Sequence, residues 1–282
     1  MSGPVLVLHG GAGRLAAGGR TDEAREALRG ILTASWPQLR DGGTALDAVV
    51  AAVVRLEAYP LFNAGTGSKL QRDGVARLSA AVMDGARERF GGVVNVEGLA
   101  HPIRLARALV EEDSRVLAGA GALARARELG LAERDVRTPR AIAAWERGLA
   151  GETGTVGAVA LDAEGRLAAA TSTGGRGLER VGRVSDTPTV AANVATEAAA
   201  VSLTGVGEDI VDGLLGPRLV AAVEAGQTLA QAEAALLERM RARGWRAGFI
   251  AVDRSGGWCA GHTTPGMTWG VATEGGVRGC WD

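Results

Sequence analysis

The run Ala45 to Leu56, ALDAVVAAVVRL, limits the fold more than any other stretch of this chain. At helical spacing Ala45, Val49, Val50, Val53, Val54 and Leu56 leave little of the circumference polar, so a helix starting after Thr44 must be sandwiched between other layers. An apolar strand, Val5 to Leu8, precedes it, followed by a helix capped at Thr21 with Ala24, Leu28, Ile31 and Leu32 at helical spacing. A chain of 282 residues can bury a large core, and we take residues 1–282 as a single domain.

Between Phe62 and Val94 the turn signals Asn63-Ala64-Gly65, Arg72-Asp73-Gly74 and Met83-Asp84-Gly85 predict an antiparallel meander. Pro102 stands as first residue of a helix from Ile103 to Val110. A short buried stretch, Val116 to Ala118, and a helix from Ala120 to Leu129 follow. The polar segment Ala132 to Glu152, apart from Arg140 to Leu149, reads as a linker. Strands Thr155 to Leu161 and Leu167 to Thr173 flank the turn Asp162-Ala163-Glu164-Gly165 and form a hairpin. The remainder supplies a strand near Ala195 to Leu203, helices Glu208 to Glu224 and Leu229 to Arg243, and strands Gly248 to Val252 and Trp258 to His262. With little strict strand–helix alternation, this order predicts a layered α+β fold: two central antiparallel sheets between helical layers.

A formal net charge of −1 without charged runs gives no footprint for nucleic acid. The apolar start is too short for a signal peptide or a membrane span, which argues for no membrane association and a cytoplasmic location. Two cysteines, Cys259 and Cys280, suit a reducing compartment and are too few for a disulfide scaffold or zinc knuckle. His9, His101 and His262 are scattered, so no metal set is expected. No Gly-x-Ser-x-Gly elbow supports a Ser-His-Asp triad. His9-Gly10-Gly11-Ala12-Gly13 lacks both the Gly-Lys-Ser/Thr ending of a phosphate loop and the dinucleotide spacing.

Chemistry concentrates at the hairpin. A threonine hydroxyl is a weak nucleophile without an adjacent base, and scission before Thr155 would create that base as a new α-amine, whose reference pKa is ~7.7–8.0. Gly154, without a Cβ, would let the scissile peptide strain and the Thr155 hydroxyl approach its carbonyl. Thr171 and Thr173 share one strand face, so both hydroxyls can point at the edge where Thr155 begins. Taken singly, each of these residues is an ordinary strand or turn residue.

Gly154-Thr155-Val156-Gly157-Ala158-Val159-Ala160-Leu161-Asp162 stands together with His9-Gly10-Gly11-Ala12-Gly13, Pro60-Leu61-Phe62-Asn63-Ala64-Gly65, Val82-Met83-Asp84-Gly85, Pro102 to Arg107, Gly182-Arg183-Val184-Ser185-Asp186-Thr187-Pro188 and Thr204-Gly205-Val206-Gly207-Glu208. In these blocks the chain resembles the plant-type L-asparaginase and isoaspartyl peptidase family of N-terminal nucleophile hydrolases. The resemblance implies a four-layer αββα sandwich, self-cleavage into an α chain, 1–154, and a β chain, 155–282, and a homodimer of αβ units. It implies Thr155 as nucleophile, supported by Thr173 and less directly by Thr171. Arg183 and Asp186 would hold the α-carboxylate and α-ammonium of an aspartyl substrate, and Thr204 and Gly205 would form the oxyanion site. Asn63 would support the nucleophile from a loop whose backbone carbonyls hold a monovalent cation in some relatives; no other cofactor is implied.

The expected reaction is hydrolysis of the side-chain amide of L-asparagine, of β-aspartyl dipeptides, or of both. The alternatives are an amino-acid-binding relative that never processes and an amidase acting on glycosylated asparagine. Leu78-Ser79-Ala80-Ala81 and Gly261 to Met267 depart from the family pattern, which bears on substrate range.

Overall fold

The computed structural model describes residues 3–13, 20–149 and 154–282. In chain order its elements are β1 (Val5–Gly13), α1 (Arg20–Arg40), α2 (Ala45–Ala58), β2 (Leu78–Asp84), β3 (Arg89–Val96), α3 (Pro102–Leu109), β4 (Val116–Ala118), α4 (Gly119–Glu128) and α5 (Pro139–Glu146). The hairpin β5 (Val156–Leu161) and β6 (Leu167–Thr173) follows, then β7 (Asn193–Ala195), β8 (Ala199–Gly205), α6 (Gly207–Gly213), α7 (Leu215–Glu224) and α8 (Leu229–Arg243). The chain closes with β9 (Ala247–Asp253), β10 (Trp258–His262), β11 (Gly266–Thr273) and β12 (Gly276–Gly279).

An eight-stranded sheet in the order β12-β11-β1-β5-β6-β2-β3-β4 faces a four-stranded sheet in the order β10-β9-β8-β7. All pairings are antiparallel except β3 with β4. Helices α1, α2 and α3 cover the outer face of the large sheet, while α7 and α8 pack on the small one. The result is an αββα sandwich, the layered α+β arrangement expected.

Both faces of the large sheet are buried, and the period of 2 along each strand assigns side chains to two cores. Leu6, Leu8, Ala158, Ala160, Ala168 and Ala170 face the helices α1 to α3. Val5, Val7, Val159, Leu161, Leu167 and Ala169 face the other sheet, where they meet the face that carries Ala200, Ile250 and Val252. Residues before and after Thr155 contribute alternately to one sheet: β1 lies between β5 and β11, and β2 beside β6.

The structure alters several expectations. Helix α2 starts after Thr44 as expected, and Thr44 caps it, its Oγ1 accepting from Asp47 N at 3.1 Å. It is not roofed by a further layer: one face lies on β5 and β6, α1 and α3 flank it, and Asp47, Arg55 and Ala58 reach solvent. The apolar flanks Val50 and Val54 are covered sideways by neighbouring helices in the same layer. Residues 62–77 form a loop, so the meander reduces to β2 and β3. Val116 is exposed because β4 is the outermost strand.

The helix expected over Glu208 to Glu224 breaks at Leu214, whose φ of +48° ends α6; Pro217, which lacks an N–H, fits the first turn of α7. The strand near Ala195 to Leu203 is a hairpin of β7 and β8. Strands β11 and β12 went unforeseen, since their glycines and the half-buried Trp269 give no clean alternation. Of the expected linker, residues 150–152 lie outside the described residues and α5 occupies its middle.

Candidate active site at the start of strand β5

Strand β5 sits in the centre of the large sheet, with β1 on one side and β6 on the other. Val156 pairs with Ser172, so Thr155 emerges beside Thr173 at the strand ends. The Thr155 hydroxyl donates to Thr173 Oγ1 at 3.0 Å. Thr173 Oγ1 also accepts from Gly175 N at 3.1 Å, which fixes its lone pairs. Thr155 is buried.

Gly154 occupies a slot between two backbone segments. A Cβ there would lie 2.9 Å from Asn63 Cβ, and from the opposite side a Cβ on Gly11 would lie 2.8 Å from Gly154 Cα. Gly11 has a φ of +112° and follows a bulge in which the β1–β11 register shifts between His9 and Gly11. Close approach accounts for a glycine at position 154. Asn63 is held rigidly: Nδ2 donates to Gly175 O at 2.6 Å, Oδ1 accepts from Lys69 N at 2.9 Å, and its carbonyl accepts from Gly174 N at 2.9 Å.

Thr171 does not join this pair. It lies opposite Gly157, one pleat further along the strand, and its hydroxyl donates to Asn193 Oδ1 at 2.9 Å and lies 2.7 Å from Ser202 Oγ. Two residues along a strand amount to ~6.8 Å, enough to move a side chain from the site into the inter-sheet space. His9 completes that buried cluster with Nε2 2.9 Å from Ser202 Oγ. Burial pushes the His9 pKa down to about 3, only partly opposed by the Thr155 backbone, so the ring is neutral. Gly157 makes room for the cluster, since a Cβ would collide with Ser202 Oγ and His9 Nε2.

Thr204 is buried on β8 and accepts from Ala12 N at 3.3 Å, which ties it to the β1 segment that also borders Gly154. Gly205, at φ +147°, touches β9 so closely that a Cβ would stand 2.5 Å from Ala247 Cα. Two residues on, a Cβ at Gly207 would meet Asp186 Oδ1 at 2.5 Å and Arg183 Nη2 at 2.8 Å. Thr204, Gly205, Arg183 and Asp186 thus gather around one strand end.

Asp186 is 4% exposed, and its Oδ2 has no hydrogen-bond partner among the described residues. Burial raises its pKa to about 6; its own backbone N–H and Arg183 oppose the rise, and Glu208 adds to it. A buried carboxylate with an open oxygen suits a cationic partner. The Arg183 fork is already engaged, Nε donating to Glu208 Oε1 at 2.9 Å and Nη2 to Oε2 at 3.1 Å. Partial burial raises the Glu208 pKa, but the Arg183 bonds outweigh it and hold the group below its ordinary range.

Behind the site, the buried Glu57 accepts from Ser172 Oγ at 2.6 Å and Ile103 N at 3.2 Å, and lies 3.2 Å from His101 Nδ1. Burial raises its pKa against these bonds. Ser172 therefore pins β6 from the helical side while Thr171 and Thr173 face the other sheet.

The loop holding Asn63 engages its carbonyls internally. Those of Glu57, Tyr59, Asn63 and Gly65 accept from Thr66, Phe62, Gly174 and Ser68, and those of Pro60 and Leu61 accept from Arg140. Among the described residues no group of three or more His, Cys, Asp or Glu could bind a metal ion.

Sequence reasoning missed Gly11, Asn95, Asn193, Ser202 and the fork partner Glu208. Glu208 carried a signal within the Thr204 to Glu208 block, but only folding sets it on Arg183. Asn95, at φ +48°, donates from Nδ2 to Arg183 O at 2.9 Å. Of the divergent segments, Ser79 lies opposite Thr173 and accepts from Asn95 N at 3.1 Å. Met267 pairs with Ala12 on β1.

A family model described as asparaginase matches residues 2–152 and 144–280. An isoaspartyl peptidase/L-asparaginase of Synechocystis is 43% identical over 281 residues, spanning 93% of this chain and 85% of the relative. The protein of that name from Nostoc is 40% identical, spanning 92% and 89%, and that from Homo sapiens 35%, spanning 96% and 94%. With a family match along nearly its whole length and a threonine-bearing strand at the centre of an αββα sandwich, the chain belongs to the asparaginase family.

Proposed function

We propose that this protein hydrolyses the side-chain amide of L-asparagine, or the β-linkage of isoaspartyl dipeptides, through a β-aspartyl ester on Thr155. The observation that carries this reading is the Thr155–Thr173 hydroxyl pair, 3.0 Å apart, at the end of the Gly154 slot. The names of the relatives support the substrate class.

Thr155 first acts on its own chain. Its Oγ1 attacks the Gly154 carbonyl, the acyl group moves from nitrogen to oxygen, and water hydrolyses the ester. The products are residues 1–154, ending in a carboxylate, and residues 155–282, beginning with a free amine. The neutral amine takes the Thr155 hydroxyl proton, directly or through a water, as Oγ1 attacks the substrate's β-carbonyl carbon. Thr204 Oγ1 and the Gly205 N–H receive the developing oxyanion; a single such donor is worth ~2.7–4 kcal/mol.

The proton passes to the leaving nitrogen, releasing ammonia or an amino acid, and water then frees L-aspartate. Arg183 pairs with the α-carboxylate and Asp186 with the α-ammonium, while Thr173 orients the nucleophile and Asn63 borders the scissile residue. No step uses a cation.

Because the two fragments share one sheet, they stay together after scission as one domain. We extend the reading to a homodimer of αβ units. The free thiols Cys259 and Cys280 suit a cytoplasmic setting, and no described helix is long and apolar enough to cross a membrane.

The test is a gel of purified protein alongside product release. Fragments of 1–154 and 155–282, with ammonia from asparagine or aspartate from a β-aspartyl dipeptide, support the reading. Thr155→Ala should abolish both scission and hydrolysis. Protein that stays at 28.7 kDa and binds amino acids without turnover would overturn it.

A further inference from the structure

We infer that Glu208 is a positioning residue for substrate recognition: it grips the Arg183 guanidinium by its Nε/Nη2 edge and leaves the Nη1/Nη2 edge to receive the substrate carboxylate. This inference rests on the amidohydrolase reading above and deepens it.

A guanidinium is planar, with five N–H groups arranged as a fork, so a carboxylate held bidentately on one edge fixes the plane of the other. Glu208 makes that contact, at 2.9 Å to Nε and 3.1 Å to Nη2. The backbone at Gly207 forms the wall beneath, since a Cβ there would press on Nη2 at 2.8 Å and on Asp186 Oδ1 at 2.5 Å. Residue 207 therefore seats both head-group partners, and residue 208 orients one of them.

The main chain of Arg183 is held separately. Asn95 Nδ2 donates to its carbonyl at 2.9 Å, and Asn95 N donates to Ser79 Oγ, on the residue paired with Thr173. Arg183 is thus located by its backbone from β3, which β2 separates from the strand of Thr173, and aimed by its side chain from the start of α6.

Arg176, on the loop after β6, places Nη1 3.5 Å from Glu208 Oε2. The same carboxylate thereby joins that loop to the head-group site. The Glu208 side chain is 53% exposed and that of Arg183 14%. With its Glu208 side open to water, the ion pair adds little to stability, so a substitution at Glu208 reports on aim rather than on folding.

The experiment compares processed wild type, Glu208→Ala and Glu208→Gln with asparagine, and repeats Glu208→Ala in an Arg183→Ala background. For Glu208→Ala we expect KM to rise about tenfold, the size of one charge-assisted hydrogen bond, with kcat within twofold and an unaltered rate of self-cleavage. Glu208→Gln, which keeps one acceptor for the fork, should recover part of the loss. In the Arg183→Ala background the second change should add less than twofold.

An unchanged KM, or an equal rise in both backgrounds, would overturn the inference. A fall in KM would also overturn it, by making Glu208 a competitor for the fork. Wild-type protein without amidase activity would instead refute the parent reading, leaving the two failures distinguishable.

Discussion

Replacing Gly154 by alanine should slow self-cleavage without harming the enzyme that results. The added Cβ would stand 2.9 Å from Asn63 Cβ, whereas carbon atoms rest at ~3.5–4.0 Å, so the slot must open by about 0.6–1.1 Å. Asn63 cannot yield easily, because both side-chain amide atoms and its carbonyl are hydrogen-bonded. Gly11 stands on the other side, so Gly154 cannot retreat that way either. Displacing a reacting carbonyl by 1 Å costs ~10²-fold in rate, about 2.7 kcal/mol of barrier.

The assay is a time course of precursor and fragments on a denaturing gel, followed by turnover per mole of free Thr155. Scission should slow by about two orders of magnitude, yet each mature β chain should work at the wild-type kcat, since residue 154 is no longer bonded to Thr155 once the chain is cut. Cleavage at the wild-type rate would refute the steric argument. Normal cleavage with lost turnover would show that residue 154 matters to the mature site instead.

Thr173→Val should lower kcat by about tenfold through loss of the 3.0 Å hydroxyl contact, whereas Thr171→Val should spare kcat and lower the unfolding free energy by ~1–3 kcal/mol, as read by steady-state kinetics and denaturant melts. L-aspartate binding should weaken about tenfold between pH 7.5 and pH 5, as Asp186 protonates through its pKa of about 6; calorimetric titration of Asp186→Asn should show that dependence gone. The stability sign is the reverse of a salt-bridged carboxylate's: Asp186 binds its proton more tightly folded than unfolded, so its contribution is largest below the ordinary carboxylate range and is lost as pH rises through about 6. Gly157→Ala should destabilise an uncleaved Thr155→Ala precursor by ~2–5 kcal/mol, because its Cβ collides with Ser202 and His9, while Gly30→Ala, with open space around it, should be neutral or stabilising in the same melt.

The hairpin of β5 and β6 was readable from its alternation and its Asp162 to Gly165 turn, and with it the meeting of Thr155 and Thr173. Thr171 shows the limit of such reading. Alternation assigned it to the correct face, but a period of 2 says nothing about depth along the strand, and the hydroxyl turns to Asn193 and Ser202 from the second sheet. Arg183 and Asp186 were legible only through family resemblance, because a charged pair three residues apart is ordinary on any surface. Their burial, and the engagement of Arg183 with Glu208, depend on segments that pass Gly207.

By itself the sequence determined most of the local elements, the layered α+β class, and the candidate nucleophile. Each follows from short-range periodicity, capping and turn chemistry, which act over a few residues. Tertiary structure decided everything that depends on distant partners: the Gly11–Asn63 slot around Gly154, the neutral His9 between the sheets, and Glu208 on the fork of Arg183. Such contacts join residues up to 193 positions apart, as His9 and Ser202 are, and arise only when two sheets close on one another.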